Sequence, residues 1–404
     1  MVMEGTMPWE ESSMLDSKMR FVVAWQEDEV SFAALCREHG ISRKTGYKLV
    51  GRYEVEGLAG LAERSRAPRL HRNAIGEAIA AAVLEVRRAH PSWGAKKIRA
   101  WLAARRPEAR WPVESTISEL LDRHGLVVRR QWRRRVPPGA SPLAACTAGN
   151  DVWGADFKGW FRTGDGRRCD PFSLSDLHSR YVLRLQVMER TDARHVWPVF
   201  DAAFREFGLP RVVRSDNGAP FAGIGAGGLS PLAVQLIKAG VLPERIAPGK
   251  PQQNGRHERL HRTLKEETAS PPAASRRAQQ RRFDAFRRVF NAERPHEALG
   301  QKTPASVYQP LWRAWDGRLR SPDYPDGSDI RHVRHRGEIK WLGHLVYVSQ
   351  TLAGEPVGLS EIADGLWAVH YGPIELGSID AAGKFAQRAA GACPRCAPQP
   401  DPQG

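Results

Sequence analysis

Apolar positions in the first third of the chain repeat at the spacing of amphipathic helices. The segment SFAALCREHG predicts a helix that begins at Ser31, a residue suited to an N-cap, and ends at Gly40. The segment SRKTGYKLVGRYEVEG predicts a second helix, which begins at Ser42. Two short helices joined by a glycine-containing turn are typical of the helix-turn-helix motif. We therefore expect a helix-turn-helix domain over residues 15–70.

A second helical domain, residues 71–135, is predicted from IGEAIAAAVLEVRRAHP, WGAKKIRAWLAARRP and VESTISELLDRHGLV. The last of these segments starts with a Ser/Thr-rich stretch and ends at Gly125, which suits a further recognition helix. The domain is therefore interpreted as a second helix-turn-helix-like DNA-binding domain. The alternative is that it only links or dimerises the protein.

The pattern changes after VPPGASPLAACTAGN, a Pro-, Gly- and Ala-rich stretch that predicts a linker over residues 136–150. DVWGADFKGWF, SLSDLHSRYVLRLQVME and PRVVRSDNG have the character of strands, and TDARHVWPVFDAAFREFG that of an amphipathic helix ended by Gly208. Strands that alternate with helices indicate an α/β layer, whose site lies where strands end. We predict such a domain over residues 151–311.

The pattern changes again near the C-terminal end. Residues 326–385 contain short runs rich in Val, Ile, Trp and Tyr, separated by glycine-containing turns. This spacing predicts a small antiparallel β-barrel. The segment 386–404 has the composition of a disordered tail, and its Cys393-x-x-Cys396 pair is at most half of a zinc site.

Charge changes the interpretation of the helical domains. Lys and Arg number 61 against 45 Asp and Glu, which gives a net charge of +16, and a dense basic run, RRQWRRR, follows the second domain. Basic residues interleaved with helix-turn-helix patterns favour binding of double-stranded DNA. The residues expected to contact DNA are Arg43, Lys44, Tyr47, Lys48, Arg129, Arg130, Arg133 and Arg134.

Composition also bounds the compartment. No stretch approaches the length of apolar residues that a membrane span needs, and the acidic first residues do not form a secretory signal. Five scattered cysteines do not suggest a disulfide framework. We expect a cytoplasmic, nucleoid-associated protein with no membrane partner.

Three carboxylates occur in distinctive contexts: Asp156 in VWGADFKGW, Asp216 in RVVRSDNGAPF and Glu258 in PGKPQQNGRHERLHRTLKEE. Asp156 is expected inside a strand and Asp216 at a strand end before a tight turn. Mg²⁺ and Mn²⁺ prefer carboxylate oxygens, and two such ions can stabilise the attacking and leaving oxygens of a phosphoryl transfer. The three carboxylates are therefore predicted to converge on two Mg²⁺ or Mn²⁺ ions as catalytic and metal-binding residues.

A helix that starts near Asn254 would carry Glu258 and other polar residues on one side. Lys265 follows Glu258 by about two turns, so both are expected to project from nearly the same side. The remaining members of this predicted polar side are His261 and Arg262.

The series WGADFKG, SDNG, PQQNGRHERLHRTLK and FNAERPHEALGQKTPASVY resembles the integrase-core transposases of bacterial insertion sequences, the DDE class related to retroviral integrases. The resemblance covers at least residues 150–310. It implies an RNase H-like catalytic core, preceded by all-α helix-turn-helix units and followed by a small β-barrel. Asp156, Asp216 and Glu258 match the metal-binding triad, and Lys265 matches the basic residue two turns later. Asn254 and Lys265 are accordingly expected to contact DNA.

The resemblance also implies an activity. Water first hydrolyses a phosphodiester at the end of the element and frees a 3′-OH, which then attacks target DNA. Joining two ends implies a homo-oligomer on DNA. Two alternatives stay open: a non-catalytic DNA-binding regulator that retains the fold, and a structure-selective nuclease that cleaves without joining.

One segment departs from the family pattern. AGIGAGGLSP, residues 222–231, lengthens the interval between Asp216 and Glu258. Because lengthening a loop raises the entropic cost of closing it only slightly, we interpret the segment as a tolerated surface loop.

Overall fold

The chain forms two compact units, Met1–Ala74 and Ile75–Gly404. The computed structural model describes residues 14–63, 75–127, 143–223, 225–247, 255–310 and 312–387. No helix within these ranges combines the length and the apolar character that crossing a bilayer requires.

The described residues of the first unit, 14–63, form helices and no strand, as predicted. Its helices are α1 (Met14–Glu27), α2 (Phe32–Glu38) and α3 (Arg43–Glu56), followed by a 3-10 turn. The side chains of Ser31 and Ser42 cap α2 and α3 by accepting hydrogen bonds from backbone N–H groups three residues later. The three helices enclose an apolar core of Phe21, Val22, Leu35, Cys36, Leu49, Val50 and Leu61.

The second unit begins with three more helices, α4 (Glu77–Ala89), α5 (Ala95–Arg105) and α6 (Glu114–Arg123). Their shared core centres on the fully buried Trp93. The arrangement confirms the predicted all-α character of this region. Val289, from a later helix, also packs against this core, so the three helices lie directly on the domain that follows.

A mixed sheet follows, and it confirms the predicted α/β layer. Strands β1, β3 and β4 pair antiparallel, whereas β1, β5 and β6 pair parallel. The strand order is β2-β3-β1-β5-β6, with β4 on the free side of β3. The strands are β1 (Val152–Phe157), β2 (Phe161–Arg162), β3 (Arg168–Asp176), β4 (Val182–Met188), β5 (Val212–Ser215) and β6 (Leu242–Arg245).

Helices cover both faces of this sheet. Helices α7 (Ala193–Phe207) and α8 (Pro231–Lys238) bury apolar side chains against one face. Helices α9 (Gly255–Thr268) and α10 (Arg276–Ala292) cover the other face, and the short α11 (Pro304–Val307) follows. Residues 143–150, the end of the predicted linker, are attached to this domain: Ala144 N–H donates to Glu244 Oε1 at 2.7 Å.

The predicted C-terminal β-barrel is not confirmed. The region forms a five-stranded antiparallel sheet of order β13-β12-β11-β10-β7 and a separate β8-β9 hairpin, and both are open within the described residues. The strands are β7 (Asp329–His332), β8 (Glu338–Trp341), β9 (His344–Tyr347), β10 (Pro356–Ala363), β11 (Leu366–Tyr371), β12 (Ile374–Asp380) and β13 (Phe385–Gln387).

The reason for the open sheet is that its apolar side packs on the α/β domain. Ala233, Val234 and Ile237 of α8 share one buried cluster with Val357 and Leu376 of the sheet. A sheet whose apolar side is already covered does not need to close on itself.

The Gly-rich segment 222–231 takes part in the same packing, so its interpretation as a plain surface loop is wrong. Ala226 and Leu229 are 1% and 3% exposed and lie in the cluster shared with the C-terminal sheet. A Cβ on Gly227 would meet Ile374 and Leu376 at 3.1 Å. The segment therefore forms part of the surface on which the C-terminal sheet packs.

Candidate active site

Asp156 lies near the end of the buried strand β1, in the middle of the sheet. It is 9% exposed, and its Oδ2 lies 3.6 Å from Nδ1 of His261 on α9. Its neighbours Trp153 and Ala155 belong to the apolar cluster on the α7 side. Because side chains alternate between faces along a strand, Asp156 faces α9.

The inner side of α9 is polar at this point, which the sequence did not lead us to expect. His257 and His261 are 2% and 6% exposed. Ser173 of β3 shares a 2.7 Å hydrogen bond between its Oγ and Nε2 of His261. The Oγ of Ser175 lies 3.4 Å from Nε2 of His257.

Gly154 makes this approach possible. A Cβ at this position would overlap the His257 ring and lie 2.8 Å from Leu177. The glycine of the WGAD motif is therefore required by the close contact between β1 and α9.

His261 is neutral in this environment. Burial, and then the charges of the nearby His257 and Lys158, lower its pKa to about 2. A neutral imidazole can hydrogen-bond Ser173 through one nitrogen and direct the other toward Asp156.

Asp216 follows the end of β5. Val152 to Gly154 pair in parallel with Val212 to Arg214. Asp156 and Asp216 each come two residues after the last pair, Asp156 still within β1 and Asp216 in the turn after β5. The Oδ1 of Asp216 accepts a 3.1 Å hydrogen bond from Gly218 N–H, which fixes the carboxylate in the tight turn.

Glu258 and Lys265 lie on the exposed side of α9. The predicted grouping of Glu258, Lys265 and Arg262 on this side agrees with their exposure, but His261 was wrongly included, since it faces the sheet. Asn254 lies outside the described residues. Among the described residues, the group whose ligand atoms could hold one metal ion is Asp156, His257 and His261, within 4.8 Å of one another.

The donor set bears on which metal would fit. The carboxylates of Asp156 and Asp216 suit Mg²⁺ or Mn²⁺, whereas the two imidazoles would suit a borderline metal. His257 and His261 contact the two serines of β3. We therefore interpret the two histidines as structural neighbours of Asp156 and not as metal ligands. The pair could have been found from the spacing His257, Leu260, His261, Leu264, which marks the buried side of a helix.

Asp176, a further acid in the core strands, has a structural role. It is fully buried and accepts hydrogen bonds from Asn150 N–H, Ser179 N–H and the Ser179 hydroxyl. Its oxygens are therefore used in holding the loop after β3.

The residues expected to read DNA in the first unit lie at the start of α3. All four are exposed, and the ring of Tyr47 stacks on Phe32 with a centroid distance of 4.2 Å. They are Arg43, Lys44, Tyr47 and Lys48. The basic residues Arg129, Arg130, Arg133 and Arg134, and the Cys393 and Cys396 pair, lie outside the described residues.

Three protein-family models match the chain. An integrase core domain model matches residues 239–304, which include α9 and α10. A homeodomain-like domain model matches residues 45–121, and a helix-turn-helix domain model matches residues 17–69.

Two relatives come from insertion elements. The insertion element IS476 uncharacterized 39.2 kDa protein of Xanthomonas euvesicatoria is 27% identical over 231 residues, which cover 57% of this chain and 64% of the relative. The insertion element IS407 uncharacterized 31.7 kDa protein of Burkholderia multivorans is also 27% identical over 231 residues, 57% of this chain and 80% of that protein. The chain thus spans slightly under two thirds of the first relative.

Solved structures with local similarity are viral integrases. The HTLV-2 integrase catalytic core domain in complex with magnesium has a TM-score of 0.30 at 13% identity, covering 40% of this chain and 98% of that chain. The simian T-cell lymphotropic virus intasome in complex with PP2A regulatory subunit B56 gamma has a TM-score of 0.37 at 14% identity, covering 78% and 100%. Scores this low carry no argument. The integrase core and helix-turn-helix matches, with the insertion-element relatives, instead support an insertion-sequence transposase of the DDE integrase class.

Proposed function

We propose that the protein is a DNA transposase that binds the ends of its element, hydrolyses a phosphodiester there and joins the freed 3′-OH to target DNA. The observation that supports the proposal is the parallel pairing of β1 with β5, since Asp156 lies near the end of β1 and Asp216 directly follows β5. Two carboxylates at the ends of adjacent strands, beside a helix that bears a third, suit phosphoryl transfer.

In this proposal Asp156, Asp216 and Glu258 supply the oxygens that hold two divalent cations, Mg²⁺ or Mn²⁺. When bound, the cations would stabilise charge on the attacking and leaving oxygens. His261, itself held by Ser173, lies beside the carboxylate of Asp156, with 3.6 Å between Nδ1 and Oδ2. Lys265 and Asn254 flank Glu258 along the chain and would contact the DNA backbone.

The same proposal assigns the helical regions to double-stranded DNA. Residues 15–70 would contact the element end through the start of α3, and residues 71–135 would extend the contact toward the core at 151–311. Acting on two ends requires at least two copies of the chain on the DNA, so we propose a homo-oligomer that works on DNA in the cytoplasm.

The test is strand transfer of a labelled duplex that carries the DNA flanking the coding sequence, with a plasmid as target and Mg²⁺ present. Asp156→Asn should lower joining by roughly 10³-fold or more, because a metal-binding oxygen is lost. Asp364→Asn changes an exposed acid in a C-terminal turn and should leave joining unchanged. Equal joining by wild type and Asp156→Asn would contradict the enzymatic function and favour a binding-only regulator.

A structure-selective nuclease is the second alternative, and the same assay separates it. A nuclease would give Mg²⁺-dependent cleavage of the duplex without any product joined to the plasmid. Joined product that depends on Asp156 would exclude it.

A further inference from the structure

A polar cleft of about 340 Å³ lies where the second helical region meets the α/β domain. Lys97 of α5 lines one wall, and residues of α9 and of the segment after α10 line the others. The two walls are held together by ion pairs between Lys96 and Glu297 and between Arg105 and Glu293. The cleft is therefore a feature built by both regions.

Cations dominate its lining. Five basic side chains face three acids, which are Asp176, Glu266 and Glu297. Asp176 already accepts three hydrogen bonds. Glu297 pairs with Lys96, which does not line the cleft. The five basic residues are Lys97, Arg180, Arg259, Arg262 and Arg294.

Lys97 is the most informative of these side chains. Within the described residues its ammonium group makes no hydrogen bond or salt bridge. Burial, and then the like charge of Arg294, lower its pKa to about 8. Glu267 and Glu297 offset part of this effect, but Glu267 pairs with Arg294, which leaves Lys97 as a half-buried cation with no anion in direct contact among the described residues.

His296 adds an unsatisfied polar atom to the same lining. Its Nε2 is buried and has no hydrogen-bond partner within the described residues. Burial, followed by the charges of Lys97 and Arg294, lowers the pKa of His296 to about 3, so the ring is neutral. A neutral imidazole can donate one N–H to an anionic oxygen.

We infer that this cleft binds a phosphate group of the DNA backbone, clamped between α5 and α9. The inference rests on the proposed function, since DNA is the substrate assigned there. Arg262 lies one turn after Glu258 on α9, so DNA that reaches Glu258 passes the mouth of the cleft. A phosphodiester offers the oxygens that Lys97, Arg262 and His296 lack.

The experiment compares Lys97→Met with Lys384→Met. Both remove one lysine charge, but Lys384 is exposed, lies in the C-terminal region and does not line the cleft. Affinity for the flanking-DNA duplex is measured by fluorescence anisotropy at several salt concentrations, with EDTA present so that no cleavage occurs.

Lys97→Met should weaken binding by about 5- to 10-fold and reduce the salt slope by about 1, because one phosphate contact is lost. Lys384→Met should change affinity by less than about 2-fold. The melting temperature of Lys97→Met without DNA should equal or exceed that of wild type, since an uncompensated charge is removed. An unchanged affinity and salt slope, or a clearly lowered melting temperature, would overturn the inference.

A second arm identifies the source of the phosphate. Inorganic phosphate is titrated against wild type and Lys97→Met while the melting temperature is followed. If phosphate stabilises only wild type while both bind DNA equally, the cleft serves a free anion and the DNA assignment is wrong. The proposed function is tested separately, since strand transfer can fail while Lys97-dependent DNA affinity persists, and the reverse.

Discussion

Helices α3 and α9 both expose basic residues, yet their buried sides differ. The inner side of α3 is ordinary core, with Leu49 and Val50 packed among apolar residues. The inner side of α9 includes His257 and His261, which contact two serines of β3. One helix buries hydrocarbon and the other buries a polar network.

The difference follows from what each helix is proposed to do. Helix α3 is proposed to contact DNA through its exposed side, and apolar packing of its buried side is enough to hold it in position. Helix α9 has to hold the carboxylate of Asp156, and a buried carboxylate needs polar neighbours. On this proposal the polar inner side of α9 serves the chemistry, while the apolar inner side of α3 serves stability.

The largest expected effect comes from the exposed side of α9. Glu258→Gln should lower strand transfer by roughly 10³-fold, because the third metal-binding oxygen is lost. The melting temperature should stay within experimental error of wild type, since Glu258 is exposed. Strand-transfer rates and thermal unfolding measure the two effects.

Glu361→Gln is the control for this change, because it alters another exposed glutamate, in β10 of the C-terminal sheet. It should retain most of the activity. Comparable activity of Glu258→Gln and wild type would show that α9 supplies no catalytic carboxylate. The proposed difference in role between α3 and α9 would then be wrong.

Two glycines allow the buried sides to be tested directly. Gly154→Ala forces a methyl group into the His257 ring, and Gly46→Ala brings a methyl group to 2.7 Å from Cys36 Sγ. Each should destabilise its own unit by about 1–3 kcal/mol, the usual cost of overpacking. Denaturant titration measures the loss in the free energy of unfolding, and calorimetry checks it independently.

The functional consequences of the two changes should differ. Gly154→Ala should also impair strand transfer while end-DNA binding persists, whereas Gly46→Ala should weaken binding. Adding His257→Ala to Gly154→Ala makes room for the methyl group and should recover stability. If both glycine variants affect binding and joining alike, α3 and α9 do not have separate roles.

The sequence predicted α3 better than α9 for a physical reason. Ser42 as N-cap and the apolar spacing of α3 are local signals, and the structure has the helix at Arg43–Glu56. The partners of His257 and His261 lie about 80 residues earlier on β3, so no local pattern names them. His261 was consequently assigned to the exposed side, although its spacing from Leu260 and Leu264 already indicated burial.

The prediction of a closed barrel for the C-terminal region failed for a similar reason. Short strands and glycine turns predict the sheet correctly, but closure depends on whether another surface covers its apolar side. That surface is α8 and the Gly-rich segment at Ala226 and Leu229, which lie far earlier in the chain. Nothing in residues 326–385 alone contains that information.

A smaller effect is expected on the outer side of α3. The double variant Lys44→Ala with Lys48→Ala should weaken end-DNA binding by about 10- to 30-fold and lower the salt slope by about 2. Lys340→Ala with Lys384→Ala removes the same charge from the C-terminal region as a control. Equal losses in both double variants would mean that net charge, and not α3, determines binding.

The smallest effect distinguishes a reading residue from a packing residue on α3. Tyr47 is exposed but stacks on Phe32, so both roles are open to it. Tyr47→Phe keeps the ring and removes one hydroxyl, which is worth about 0.5–1.5 kcal/mol as a hydrogen bond. We expect affinity for the flanking duplex to fall by about 2- to 10-fold with an unchanged melting temperature. Full affinity in Tyr47→Phe, together with a lowered melting temperature in Tyr47→Ala, would make Tyr47 part of the core of the first unit and leave the reading of DNA to Arg43, Lys44 and Lys48.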